Sequence, residues 1–278
     1  ETFDICQKIE AQHCQRLGYG LSSAKSATLS FYVKSSVTGT YGINVFKPDS
    51  TARHLTSTYT ISSANTWEKK TITIPGDTDS SGTIADDNGS GLRISWHLGT
   101  GSNYTSSNTA LTWTNYADAG WAYGHAQNGV LTTDNATWFL TGVQFEVGEV
   151  ATAFEYESFG DNLARCQRYF NKVDASHVNN ARFAVAQMYS TGGGEFYYYP
   201  PVAMRTEPSL GQTGTAGDYA FYSGNATLEC TGVPTIGSAS SKECIMGFAY
   251  TSSATVGRAA ALMADSTTSA YLEFNAEL

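Results

Sequence analysis

Four carboxylates crowd one short stretch of the chain, Glu146, Glu149, Glu155 and Glu157. Paired carboxylates are what glycoside hydrolysis requires, but only when the two face each other across a cleft. Here Val143, Phe145 and Val147 read as the inward face of a strand, which sends Gln144 and Glu146 to the opposite face, and the other acids lie along a bend. The pattern therefore points to solvated or capping carboxylates rather than to an acid/base pair. A second constellation is Asp77–Asn88, DTDSSGTIADDN, with oxygens at Asp77, Asp79 and Ser81, then Gly82 and Ile84, in the order of an EF-hand loop. Asn88 stands where a bidentate Glu belongs, and the flanks are strand-like, so an EF-hand is not expected. What remains is a structural Ca²⁺ site using Asp77, Asp79, Asp86 and Asp87, or a polar turn between strands. No other cofactor is expected.

The third constellation is aromatic. Tyr104, Trp113, Tyr116, Trp121 and Tyr123 stand among Ser, Thr, Asn and Gly, and an apolar ring face with hydroxyl and amide donors around it is an economical way to hold a sugar. Trp121 leads this glycan-binding set, because it comes after Gly120 in a segment without strand alternation, so its ring is expected to stand proud of the sheet. The burial of Trp113 depends on strand register. The competing reading packs these rings over the end of a sandwich or into a subunit contact. His97 and His125 could join such a site, although His97 falls on the wet side of a strand. The remaining chemistry is sparse. There is no GxSxG, no HExxH and no CxxC, and Gly192–Gly194 has no subsequent Lys to hold a phosphate. Of the five cysteines, Cys230 and Cys244 flank a turn-rich stretch and either pair across a hairpin or stay as buried thiols.

The elements that must position these residues read as strands almost throughout. Leu92, Ile94, Trp96 and Leu98 alternate with Arg93, Ser95 and His97, one face buried and one wet. Leu29, Phe31 and Val33 repeat the period, as do Tyr41, Ile43 and Val45, and Ile72 and Ile74. Turn clusters separate them at antiparallel-sandwich spacing. Further on, Glu195–Tyr199, Lys242–Tyr250 (Cys244, Met246, Phe248 and Tyr250 on one face) and Ala270–Leu278 continue the pattern. Tyr197–Tyr199 before Pro200 suggest an exposed strand end. Asp161–Phe170 alone has helical spacing. Asp161 is its expected N-cap, with Leu163, Cys166 and Phe170 buried and Arg165 and Arg168 outward.

Composition agrees. Of 278 residues, 15% are charged and 13% aromatic, and the formal net charge is −9. Low charge favours strands over long surface helices, and a net-negative surface argues against nucleic acid as partner. No apolar run reaches the length of a membrane-spanning helix. The chain opens without Met or a leader, as a processed protein or a piece of a longer one would.

Thr137–Phe170, TWFLTGVQFEVGEVATAFEYESFGDNLARCQRYF, resembles a segment of bacteriophage tail-fibre and tail-associated structural proteins, many of them marine. There a T-G-V-Q-L-E-x-G strand and a V-A-T-x-F-E bend lead into an L-x-R-C-Q-R-Y-[YF] helix. Gln7–Gln12, Ser30–Tyr41, Ser62–Asp77 and Asp86–Ser102 resemble earlier strands of the same module, and Pro200–Leu210 and the terminal AEL resemble the region C-terminal to it in those proteins. The motif residues Gln144, Glu146, Arg165, Cys166, Gln167, Arg168 and Tyr169 read as architecture. The resemblance implies an N-terminal jelly roll similar to carbohydrate-binding modules, and a virion protein of the phage tail or capsid exterior. It also implies a homotrimer that contacts other virion proteins and host-surface glycans.

The expectation is thus an all-β chain: a jelly-roll-like β-sandwich over 1–158, a connector helix over 159–170 and a C-terminal β-sandwich over 171–278. Its expected function is that of a non-enzymatic tail-fibre or receptor-binding component. The alternatives are a purely structural virion subunit (head decoration, fibre or adaptor) without ligand and, further off, a polysaccharide depolymerase.

Overall fold

Period-two alternation produces strands from the first residues onward. In a computed structural model of the chain, residues 1–106, 108–126, 129–175, 178–251 and 254–278 are described. They form two compact units, Glu1–Tyr156 with Leu278, and Glu157–Glu277.

The first unit contains β1 (Thr2–Glu10), β2 (Ala27–Ser35), β3 (Gly39–Lys47), β4 (Arg53–Ile61), β5 (Glu68–Ile74), β6 (Ser90–Thr100), β7 (Thr114–Asn115) and β8 (Trp138–Val147). A five-stranded sheet, β1-β6-β3-β4-β7, faces a three-stranded one, β5-β2-β8, in a jelly-roll-like β-sandwich with antiparallel pairing. The core lies between them. Leu29, Phe31 and Val33 of β2 meet Tyr41, Ile43 and Val45 of β3 and Leu92, Ile94 and Trp96 of β6, all buried. The Trp96 ring stands edge-on to Phe31 at 5.8 Å.

The wet side of β6 is not wet. Ser95 and His97 are both 0% exposed, because the loop that carries Trp121 covers the outer face of the five-stranded sheet. In β8 the inward phase changes along the strand. Trp138 and Leu140 pack on the core, the pairing with β2 then slips between Ser30 and Tyr32, and Phe145 takes the inward place. Gly142, at φ +56, carries the irregularity. Val143 and Val147, expected inward, are exposed, while Phe145 is packed against the core.

The second unit opens with α1 (Phe159–Gln167), and its strands are β9 (Phe170–Asp174), β10 (Arg182–Met188), β11 (Gly193–Tyr198), β12 (Ser209–Gln212), β13 (Tyr219–Ser223), β14 (Ala226–Glu229), β15 (Thr235–Ala239), β16 (Cys244–Ala249), β17 (Ala259–Ala264) and β18 (Tyr271–Asn275). Its sheets are β14-β13-β17-β10-β11-β16-β15 and β12-β18-β9. Cys244, Met246, Phe248 and Tyr250 share one buried face, as do Leu272, Phe274 and Ala276, and Tyr198 lies flat on Phe274 at 3.8 Å.

α1 departs from expectation. Ser158, not Asp161, is its N-cap: its hydroxyl accepts the Asp161 N–H and donates to the Asp161 carboxylate. No residue of α1 is buried; Leu163, Cys166 and Phe170 are exposed, and Arg165 pairs with Glu157 at 2.6 Å. The R-C-Q-R-Y block also engages through its backbone. The carbonyls of Gln167, Arg168 and Tyr169 accept from the Asn171 amide and from the N–H groups of Arg205 and Ala276. All five cysteines are free, and burial pushes the thiols of Cys230 and Cys244 up to about 12 and about 11.

Candidate functional site

The carboxylates of the 146–157 stretch are structural in their contacts. Gln144 and Glu146 leave β8 on its outer face and clasp the bend that comes after it. Glu146 accepts the Thr152 N–H at 2.9 Å, the Thr152 hydroxyl at 2.8 Å and the Gln144 amide at 2.9 Å, while the Gln144 carbonyl accepts the Glu155 N–H. The Gln144 hydrogen bond leads the contacts that hold the Glu146 carboxyl below the usual carboxylate range. These bonds give a physical reading of the Q-F-E…A-T-A-F-E pattern: two side chains on one strand face bracket a turn.

The acidic loop is built around protein cations. Asp77 is buried and both of its oxygens accept from Arg53 of β4, at 2.6 and 2.9 Å. Asp79 accepts the Ser81 N–H and so caps a short 3-10 turn, Ser80–Gly82. The buried Lys47 ammonium donates to the Ser81 carbonyl at 2.8 Å, and Asp87 closes its own turn on the Gly89 N–H. Of the acids Asp77, Asp79, Asp86 and Asp87, Asp77 is thus not open to a Ca²⁺ ion, since Arg53 takes both of its oxygens, and the same guanidinium, 3.5 Å from Asp79, would repel a cation there. Among the described residues, no three His, Cys, Asp or Glu side chains are grouped to hold a metal. The missed signal was Arg53, on a strand the periodicity did not single out.

The aromatic stretch folds back over the sandwich. Its backbone is pinned to the five-stranded sheet and to itself: Leu111 N–H to Thr56 O, Tyr116 N–H to Ala52 O, Ala122 N–H to Tyr104 O. The Asn44 amide donates to Trp121 O and Gly42 N–H to His125 Nδ1. A 3-10 turn, Asp118–Gly120, points Trp121 back at the sheet rather than into solvent. Trp121 is only 8% exposed. Its ring touches Phe46 at 5.3 Å, Tyr116 at 5.6 Å and His97 at 6.1 Å, lies parallel to His54, and carries the Arg93 guanidinium at 5.3 Å. The expectation that it stands proud is corrected. The loop supplies a third layer, and Trp121 is its keystone. His97 is buried beneath this layer and His125 is buried within it, and burial lowers both to about 4.

Above Trp121 lies a cleft of about 350 Å³ lined by Asp4, Phe46, Arg93, Tyr104, Tyr116 and Asp118. Three of the five predicted aromatics, Tyr104, Tyr116 and Trp121, thus converge. Tyr123 does not line the cleft, and Trp113 belongs to the sandwich edge, where its indole N–H donates to Pro75 O at 2.7 Å and its ring meets Tyr19. The polar rim is ordered. Arg93 of β6 pairs with Asp4 of β1 at 2.6 Å, and the Tyr116 hydroxyl donates to Asp118. Burial, with Asp118 second, pushes the Tyr116 phenol up to about 12, so it stays a neutral donor. Sequence reasoning missed Asp4, Arg93 and Asp118, although Arg93 stood on the face it marked as polar.

Comparison with protein-family models and with curated proteins gives no significant match. Among solved structures, recombinant discoidin II of Dictyostelium discoideum aligns at 11% identity over 91% of this chain and 75% of that chain, with a TM-score of 0.19. The wild-type discoidin II aligns at 12% over 92% and 74%, also at 0.19. A likeness at that level carries no argument about fold or function.

Proposed function

We propose that the first unit is a glycan-binding module and that the chain is a non-enzymatic adhesion component on a phage tail or capsid exterior. The observation that carries the glycan reading is the convergence of Tyr104, Tyr116 and the capped Trp121 with Arg93, Asp4 and Asp118 on one small cleft. A partly exposed tyrosine whose hydroxyl is fixed by a carboxylate offers a ring face and a rim of donors and acceptors, which is what one sugar residue needs. Asp4 is committed to Arg93 and Asp118 to Tyr116, an arrangement for hydrogen bonding rather than for a facing acid/base pair. Support for the virion setting is the resemblance of the 137–170 segment, and trimeric valency would multiply a weak single-site affinity. A glycan array probed with the purified protein tests this. Binding should fall about tenfold in Tyr116→Ala, as loss of one stacked ring predicts. An array without signal, or signal unchanged by that substitution, overturns the reading. Exposed Val185, Tyr197 and Tyr199 of the second unit favour, as the second reading, a structural subunit whose rings serve contacts with other virion proteins.

A further inference from the structure

The two outer faces of the first unit are finished differently. One is closed by the aromatic loop. The other, on β5-β2-β8, is covered only at one end, where the bend clasped by Gln144 and Glu146 buries Thr28 and Ser30. Beyond the bend the face carries bare rings: Trp67 is 46% exposed, Phe139 45% and Tyr32 39%. Register explains the grouping. Phe139 is opposite Lys34, and Tyr32 is opposite Thr141 on one side and Lys69 on the other, all on the outward phase. Trp67 and Phe139 are 6.4 Å apart, with the Lys34 ammonium 5.2 and 4.7 Å from their centroids. At the far side Gly142 leaves room for the Tyr32 and Phe154 rings, whose atoms would lie 3.1 and 3.9 Å from a Cβ there.

We propose that this strip is a second ligand surface, separate from the cleft, which takes an extended acidic polysaccharide laid along the sheet. Exposed rings at strand spacing present flat apolar faces to successive sugar units. A protein partner is disfavoured because lysine is depleted from the centres of protein interfaces, and here Lys34 sits between the two most prominent rings. The sign of the ligand is set by charge. Lys34 and Lys69 both face outward; Glu68 is paired with Lys70 at 2.6 Å and the Glu146 carboxylate lies beside Lys69, whereas Lys34, between the two rings, forms no ion pair among the described residues. In a chain of net charge −9, Lys34 thus sets an unpaired positive charge among the rings, and an anionic polymer complements it.

The test is affinity electrophoresis of the full chain through gels cast with dextran sulfate, polygalacturonate or dextran. Both acidic polymers should retard the wild type and dextran should not, with retardation lost at high salt. Trp67→Ala and Lys34→Gln should each weaken the effect about tenfold, with unchanged melting temperature because both side chains lie on the surface. Tyr116→Ala should leave it intact, so failure here and failure of the cleft reading are separate results. The proposal is overturned if dextran retards equally, or if neither acidic polymer retards. Undiminished retardation of Trp67→Ala would reduce it to bulk polyanion attraction, and a Trp67→Ala variant that dissociates in light scattering would make the face a contact between copies.

Discussion

Acidification should loosen the first unit well before its carboxylates titrate in bulk, because of the two histidines buried with the aromatic loop. His97 is fully buried between β6 and Trp121, with Asp4, Arg93 and His125 as its charged or titratable neighbours, and His125 is buried with its Nδ1 held by the Gly42 N–H. Above pH 6.5 both rings are neutral in the folded and unfolded chain, and nothing is lost. Below 6.5 the unfolded chain takes up protons that the folded one refuses until about pH 4. The gap is worth about 3 kcal/mol for each ring, at about 1.4 kcal/mol per tenfold change in proton affinity. Stability should therefore fall between pH 6.5 and 4, by as much as about 3 kcal/mol per pH unit in the steepest part, and level off with respect to these groups below 4. Against a typical total of about 5–15 kcal/mol this is a large fraction.

Tryptophan fluorescence isolates the effect, because Trp67, Trp96, Trp113, Trp121 and Trp138 all lie in the first unit. Urea unfolding at half-unit steps from pH 7.5 to 4.5 gives the slope, and His97→Leu should roughly halve it while costing little at pH 7.5. A wild-type slope near zero between pH 6.5 and 4.5, or one that His97→Leu leaves unchanged, would refute the reasoning.

Asp77→Asn should cost about 3 kcal/mol in the same urea assay, since it removes the buried, bidentate carboxylate from the Arg53 guanidinium and leaves only the exposed Asp79 at 3.5 Å; a loss under about 1 kcal/mol would mean the pair is hydrated. Millimolar Ca²⁺ should leave the melting temperature unchanged, and a clear rise would restore the loop as a metal site. Trp121→Ala should destabilise by about 3–5 kcal/mol, so any binding lost with it must be judged against the folded fraction. Phe170→Ala, at an exposed ring, should stay within about 1 kcal/mol by calorimetry, and a larger cost would show that something packs on the start of β9.

Period-two alternation carried most of the fold into view, because it depends only on which residues must leave water. Leu29–Val33, Tyr41–Val45 and Leu92–Trp96 needed no partner to be recognised as inward faces. What alternation cannot show is what covers the opposite face. Arg93, Ser95 and His97 look wet in sequence whether solvent or another layer lies above them. Only the loop's anchors to Thr56, Ala52 and Asn44 decide the matter, and these are contacts between distant segments. Asp77 was obscured in the same way, since a carboxylate bound by Arg53 and one awaiting an ion have identical local sequence. For α1 the failure was of another kind: helical spacing marks an apolar stripe but does not supply a surface to bury it.

The cleft and the aromatic strip arise from one constraint. With only 15% of residues charged, the outer faces of the sandwich are built from hydroxyls and rings, and a ring on an outer face must be covered or left to meet something. Phe46 and His54 are covered, and their cover, Trp121, is in turn capped by Arg93, which leaves the cleft open beside it. Among the described residues, no such loop covers Trp67, Phe139 and Tyr32. Covering them with the chain itself would have needed another insertion as long as the 101–126 segment. Instead Lys34 is threaded between two of the rings, which keeps the face soluble while leaving the ring faces accessible. A lysine in that position costs little in water and opposes stacking of a second apolar surface, so it selects for ligands that carry their own negative charge.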